Sequence, residues 1–419
     1  MTKIPPHWPA QAQKIFDDVH ALTFDGVGIT RASYGAGENA TVEYLATLAK
    51  DAGLTVRHDR AANLIIELPD SGDAPALWCG SHVDSVPQGG NFDGLAGLVA
   101  GLLCMIRLKE EGVTLARPLR VIGLRGEESA WFGKAYMGSG ALFGKLNRED
   151  LALCDHHRGQ TMSECMSAVG ADIAAIENGE TLVDKDKIAG YIELHIEQGP
   201  VMVGRAWPTA IVSGIRGNIR HNLVRCVGEA GHSGAVPRKL RRDAVFAFAE
   251  LVTRLDRHWQ DLLDQGMDLV LTFGVVGTNP HEHAVSRIPG EVDFSFEVRS
   301  ESKEVLELFY QLLRDECEAI HAERGVDFIF DRRLLTLPAL MDNGMVTSLL
   351  DLSRRLGLPA EKISSGAGHD ASVFANAGVP SAMIFIRNEH GSHNPHEAME
   401  LDDFIAGTAL LYEAVTDWP

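Results

Sequence analysis

The sequence predicts an α/β fold split around a smaller α+β insert, and three observations carry this expectation. Amphipathic helices alternate with short apolar strands through the first half of the chain. Near Gly214 the texture changes to a compact β-α-β-β-α order. After about residue 331 the α/β alternation resumes, so residues 1–213 and 331–419 form the larger domain and 214–330 the insert.

Hydrophobic periodicity places a helix near 38–52, strands near 63–68 and 76–81, a helix near 95–111, and strands near 120–125 and 190–196. In the insert it gives a strand over 220–228, a helix over 243–257, strands over 269–276 and 291–299, and a helix over 303–323. The closing part holds a helix near 346–356, a strand near 381–386 and a helix near 402–415. No internal repeat is present.

A length of 419 residues, 45% of them hydrophobic and 23% charged, gives ample chain for two or three cored domains. Lys and Arg number 38 against 58 Asp and Glu, a net charge of −20 that repels phosphate backbones and anionic headgroups. Nucleic acid and membrane are therefore not expected partners. The basic run Arg238-Lys-Leu-Arg-Arg242 is followed at once by Asp243 and reads as a solvated helix start. The first residues lack a secretory apolar core, and the longest apolar stretch, 95–106, is too short to span a bilayer. A cytoplasmic protein is expected. Six scattered cysteines show no Cys-x-x-Cys spacing and read as buried free thiols.

Phosphate-loop, dinucleotide-loop and nucleophile-elbow patterns are absent. His281-Glu-His283 lacks the zincin spacing, since position 285 is valine, and reads as a polar loop. What remains is His82-x-Asp84 at the end of an apolar strand, with Asp93 nine residues on in Gly89-Gly-Asn-Phe-Asp-Gly94. Glu127-Glu128 follows a second apolar strand, His195-Ile-Glu197-Gln198-Gly199 ends a third, and His393-Asn-Pro-His396-Glu397 follows a fourth. Strand ends of α/β sheets are where ligands bind. Each fragment alone has an ordinary explanation, because a lone Glu-Glu pair is commonly solvated and a lone histidine commonly hydrogen-bonded. Together, four strand ends offer the oxygen and imidazole ligands that suit zinc, manganese or cobalt, enough for two ions.

These strings, with Cys79-Gly-Ser-His-Val-Asp84, Leu194-His-Ile-Glu-Gln-Gly-Pro200, Gly228-Glu-Ala-Gly-His-Ser-Gly234, Gly368-His-Asp-Ala371 and Ser392-His-Asn-Pro395, resemble the hydantoinase/carbamoylase family of amidohydrolases. The likeness runs in matching order from about residue 20 to the end. That family includes N-carbamoyl-L-amino acid amidohydrolases, β-ureidopropionases and allantoate amidohydrolases, related to dinuclear-zinc aminoacylases and carboxypeptidases. The resemblance implies a metallopeptidase-like α/β catalytic domain, with the insert serving as lid and dimerisation domain of a homodimer. It implies two divalent ions per subunit, zinc first, with Asp93 bridging them, His82 and His195 on one, and Glu128 and His393 on the other. His396 is the alternative to His393. Asp84 would partner His82, and Glu127 would act as general base. His232 would reach the reacting carbonyl from a partner subunit, while Arg299 would grip a substrate carboxylate and Gln198, Ser286, Gly366 and His369 would contact substrate.

Two departures from the family pattern fall near the expected substrate. Ser286 stands in place of the usual asparagine, and Ser129-Ala-Trp-Phe132 in place of Gly-Ser-Arg-Phe. A pocket with fewer polar anchors suits an N-carbamoyl-L-amino acid with one carboxylate, ahead of allantoate or an N-acyl amino acid. A metal-free binding or scaffold protein of the same fold would have damaged ligand positions, and all five are intact.

Overall fold

The computed structural model describes residues 4–418, which divide into two compact units, one from residues up to Gly214 together with Leu340 onward, the other Ile215–Ala339. The second boundary lies beyond the expected 330/331, because Leu334–Thr336 pairs with Gly217–Val227 as a further strand of the insert's sheet.

The first unit is built on a mixed sheet in the order Thr55–His58, Leu64–Glu67, Leu119–Leu124, Ala76–His82, Ile188–Ile196, Ser381–Ile386, Thr209–Ile215. The four central strands, from Leu119–Leu124 to Ser381–Ile386, run parallel, and the strands next to them, Leu64–Glu67 and Thr209–Ile215, are antiparallel to them. Every residue of Ala76–His82 and of Ser381–Ile386 is buried, as parallel strands covered on both faces require. Helix Leu95–Glu110 lies against this sheet and packs on the closing helix Leu401–Thr416. Its close approach depends on Gly97, where an added Cβ would stand 2.1 Å from the Leu194 carbonyl oxygen.

Helices Trp8–Thr23 and Asp370–Asn376 and strands Thr209–Ile215 and Lys362–Ser365 were not expected from the periodicity. Five of the six cysteines are buried free thiols, and the expectation fails at Cys154, which is exposed. No helix among the described residues is long and apolar enough to cross a membrane.

In the second unit, antiparallel strands Gly217–Val227 and Glu291–Ser300 form the sheet centre, with helices Ala244–Asp264 and Lys303–Arg324 packed on it. Glu291–Ser300 buries every second residue, so Val292, Phe294, Phe296 and Val298 meet Leu251, Leu255, Phe309 and Leu313 in one core. The expected strand 269–276 is two pieces, Val270–Thr272 and Val276–Gly277. Between them Val275 bonds the Ser295 side chain and backbone, both at 2.9 Å, instead of continuing the ladder. Arg238–Leu240 is a single 3₁₀ turn, and Asp243 caps the helix that starts at Ala244. His281-Glu-His283 sits in a short 3₁₀ turn and loop, where His283 Nε2 meets Thr278 Oγ1 at 2.7 Å.

Replacing Gly97 with alanine should lower the urea-unfolding free energy by about 1–3 kcal/mol, because the new methyl meets backbone that cannot yield. The control is Gly204→Ala in helix Val201–Arg205, where a Cβ meets nothing within 4 Å. That change should be neutral or stabilise by up to about 1 kcal/mol. Equal midpoints for the two variants would refute the packing argument.

Candidate metal and active site

The parallel strands end on one edge of the sheet, and that edge collects the chemistry. His82 is the last residue of its strand, in register with Leu124, and His195 is in register with Phe385. The loops beyond Leu124 and Ile386 carry Glu127-Glu128 and His393. Asp93 comes from the turn before helix Leu95–Glu110. That turn closes through Gly94 at φ +68°, where a Cβ would stand 2.5 Å from the His82 ring. Only glycine serves there.

His82 Nδ1 lies 3.0 Å from the Asp84 carbonyl oxygen and His195 Nδ1 lies 2.9 Å from that of Ile196. Both bonds place the ring hydrogen on Nδ1 and leave a lone pair on Nε2. The two Nε2 atoms face each other at 3.3 Å and stand 3.3 and 3.1 Å from Asp93 Oδ1. Asp93 Oδ1 is buried and has no hydrogen-bond partner. Three electron-rich atoms so arranged repel one another unless a cation lies among them.

On the other side of the same carboxylate, His393 Nε2 is 3.6 Å from Asp93 Oδ2 and 3.3 Å from Glu128 Oε1. His82, Asp93 and His195 form one group able to hold a metal, and Asp93, Glu128 and His393 form another, the donors of each lying within 4.8 Å of one another. The residues therefore fit borderline divalent ions, and Asp93 is common to both groups. His396 belongs to neither group. It is exposed, and its backbone N–H bonds Asn394 at 2.8 Å.

Asp84 accepts the backbone N–H groups of Glu127 and Glu128 at 2.9 and 3.1 Å and the Ser33 hydroxyl at 2.6 Å. Its carboxylate thus holds the glutamate pair, while its carbonyl is the nearer partner of His82. Burial pushes the Glu127 carboxyl well above its ordinary range, against the pull of His82 and with a further push from Glu128. Glu128 is raised by burial against the hydrogen bond to His393, which in turn lifts His393 to about 9.

Two supports had no role in the sequence reading. Glu397 Oε1 accepts the N–H groups of Phe92 and Asp93 at 2.7 and 3.2 Å. Arg31, fully buried, donates to the carbonyls of Val83 and Asp93 and to the Asn91 side chain. They fix the turn that presents Asp93. The signal for Glu397 was its place four residues after His393, and a buried arginine in Gly28–Tyr34 left none.

Gln198 Nε2 lies 2.9 Å from Asp93 Oδ2 and 3.3 Å from His393 Nε2, so its amide covers the second group. His369 is buried, its ring edge-on to His195 at 4.4 Å and its Nε2 3.0 Å from Ser365 Oγ. Gly366 is in the turn between Ser365 and His369. Trp131 is buried, and its indole N–H donates to the Ser85 carbonyl at 2.8 Å. In the second unit, His232 pairs with Arg287 across a two-residue ladder, and Ser286 accepts the N–H of Ser233 at 2.8 Å. His232 and Ser286 are thus neighbours. Arg299, on the central strand, directs Nε and Nη2 at the Glu297 carboxylate, each at 3.0 Å.

Residues 78–417 match the family described as Peptidase family M20/M25/M40. An N-carbamoyl-L-amino-acid amidohydrolase of Pseudomonas sp. (strain NS671) is 31% identical over 93% of this chain and 92% of its own. The allantoate amidohydrolase of Escherichia coli (strain K12) is 32% identical, covering 92% and 91%. A crystal structure of a hydantoinase/carbamoylase family amidase from Burkholderia ambifaria superposes with a TM-score of 0.85 at 30% identity, covering 97% of this chain and 95% of that one. On this footing the chain belongs to peptidase family M20/M25/M40, on its hydantoinase/carbamoylase amidohydrolase side, and is a hydrolase.

Proposed function

We propose that the protein is a metal-dependent amidohydrolase that cleaves the ureido group of an N-carbamoyl-L-amino acid to the amino acid, ammonia and CO2. The observation that carries this reading is the pair of donor groups sharing Asp93, with the glutamate pair held beside them by Asp84. When two divalent ions are bound, zinc first, they supply an activated water and a polarised carbonyl.

Glu127 takes the water's proton as the water oxygen bonds to the ureido carbon. When the C–N bond breaks, the same proton goes to the departing nitrogen, and the carbamic acid falls apart to ammonia and CO2. Gln198, whose amide contacts Asp93 and His393, orients the substrate beside them. Arg299 takes the substrate carboxylate in place of Glu297, with Ser286, Gly366 and His369 contributing to the pocket. His232 acts on the carbonyl oxygen from the partner subunit of a cytoplasmic homodimer.

Relatives acting on N-carbamoyl amino acids and on allantoate are about equally similar to this chain, at 31% and 32% identity, so the preference rests on local chemistry. Trp131 spends its only polar donor on Ser85, leaving that position without an anchor for a second ureido group.

Gently purified protein should carry up to two transition-metal ions per chain by elemental analysis, and chelation should abolish turnover; full activity after chelation would sink the metal reading. Glu127→Gln should cut kcat by about 10²–10⁴-fold with metal content unchanged. Mixing Glu127→Gln with His232→Ala chains should restore part of the activity, and no recovery despite proven subunit exchange would remove His232 from the trans role. Across a panel of N-carbamoyl, N-formyl and N-acetyl L-amino acids plus allantoate, an N-carbamoyl-L-amino acid should turn over fastest. Arg299→Ala should lower kcat/KM for it by about 10²-fold. Faster hydrolysis of allantoate would reverse the substrate choice.

A further inference from the structure

Nine residues after Glu127 the chain turns back at Tyr136 and runs beneath the glutamate pair. Tyr136 N–H donates to the Glu127 carbonyl at 2.9 Å, and Met137 and Gly138 donate to Gly126 and Arg125, both at 2.8 Å. The returning limb is thus tied residue by residue to the segment that presents Glu127. Tyr136 adopts φ +61°, a left-handed conformation that glycine or asparagine takes at less cost. A tyrosine held there fixes the direction of its side chain, and such positions concentrate at active sites.

The phenol reaches across to the loop between Ser365 and His369. A Cβ built on Gly368 would lie 1.6 Å from Tyr136 Oη and 3.0 Å from Cζ, so the hydroxyl rests against bare backbone that only glycine leaves open. The residue is half-buried, and its hydroxyl has no hydrogen-bond partner among the described residues, yet it is not one of the fully buried unpartnered atoms, so solvent reaches it. Burial, then the charges of Glu127, Asp370, Glu193 and Glu128, push the phenol well above its ordinary range. It therefore keeps its proton and serves only as a donor or neutral acceptor. A solvent-reached phenol O–H between the segment carrying Glu127 and the 366–369 loop can exchange water for an oxygen of a bound molecule.

We propose that Tyr136 is a further catalytic residue, its phenol O–H donating a hydrogen bond to the carbonyl oxygen of the substrate as negative charge builds there. The bond strengthens in the transition state and costs no rearrangement, because the left-handed backbone and Gly368 already fix the ring. The inference rests on the amidohydrolase reading above.

The test is Tyr136→Phe, which removes one oxygen and keeps the ring. With an N-carbamoyl-L-amino acid as substrate, kcat should fall about 10–10³-fold, with KM within about twofold and metal content and urea midpoint unchanged. Gly368→Ala leaves Tyr136 intact but displaces Oη, and it should cut kcat by a similar factor. Wild-type kcat in Tyr136→Phe overturns the inference, as does a rise in KM with kcat unchanged, which would place the phenol in ground-state binding. Turnover by the wild type that Tyr136→Phe retains defeats this inference alone; absence of wild-type turnover on every N-carbamoyl substrate defeats the amidohydrolase reading with it.

Discussion

The Asp93 carboxylate is shared between two sets of lone pairs, and that sharing organises the surrounding structure. One oxygen faces His82 and His195, the other faces Glu128, His393 and the Gln198 amide. Buried acceptors crowded this closely cost folding free energy unless a cation or proton lies among them. The protein opposes their separation from below. Arg31 and Glu397 pin the Asp93 turn, and Asp84 pins the glutamate turn, each through backbone atoms. The site is held by main-chain N–H groups donating to the Glu397 and Asp84 carboxylates and by Arg31 donating to main-chain carbonyls, a stiffer arrangement than side chains packed on side chains.

The sheet explains why these particular residues meet. Four parallel strands deliver their C-terminal ends to one edge, and a parallel strand buried on both faces cannot shift register without exposing apolar surface. His82 and His195 are strand residues and are placed with that precision. Glu127, Glu128 and His393 lie in loops, where placing a side chain asks more of local devices. His393 itself adopts φ +61°, and Tyr136 shares that left-handed geometry on the loop below Glu127.

The strand-end constellation was legible in the sequence because each fragment joins an apolar run to a chemically distinctive residue at a fixed offset. The central strands 76–82 and 381–386 and the helices 95–110 and 401–416 were legible for the same reason, as long runs with one period. Helix Trp8–Thr23 escaped because its N-cap His7 makes no side-chain cap. Strand 269–276 was read whole because nothing local reveals that Ser295, on another strand, takes up both bonds of Val275. Arg31 and Glu397 escaped for a deeper reason. Their importance is a matter of which distant backbone atoms they reach, 62 and 304 residues away for Asp93, and no local pattern encodes that.

The residues proposed to separate one substrate from another are of this second kind. Trp131 reads in sequence as an apolar residue at a polar position, which suggests a pocket wall. In the structure it is buried, and its indole N–H donates to the Ser85 carbonyl. Tyr136 reads as an unremarked aromatic in a loop, yet its hydroxyl rests against the bare backbone of Gly368. The candidate metal-binding donors sit at strand ends and in motif loops, and their grouping was readable from sequence. On the proposed reading, discrimination among ureido and amide acids would rest on where a few hydrogen-bond donors are spent, which only the folded chain displays.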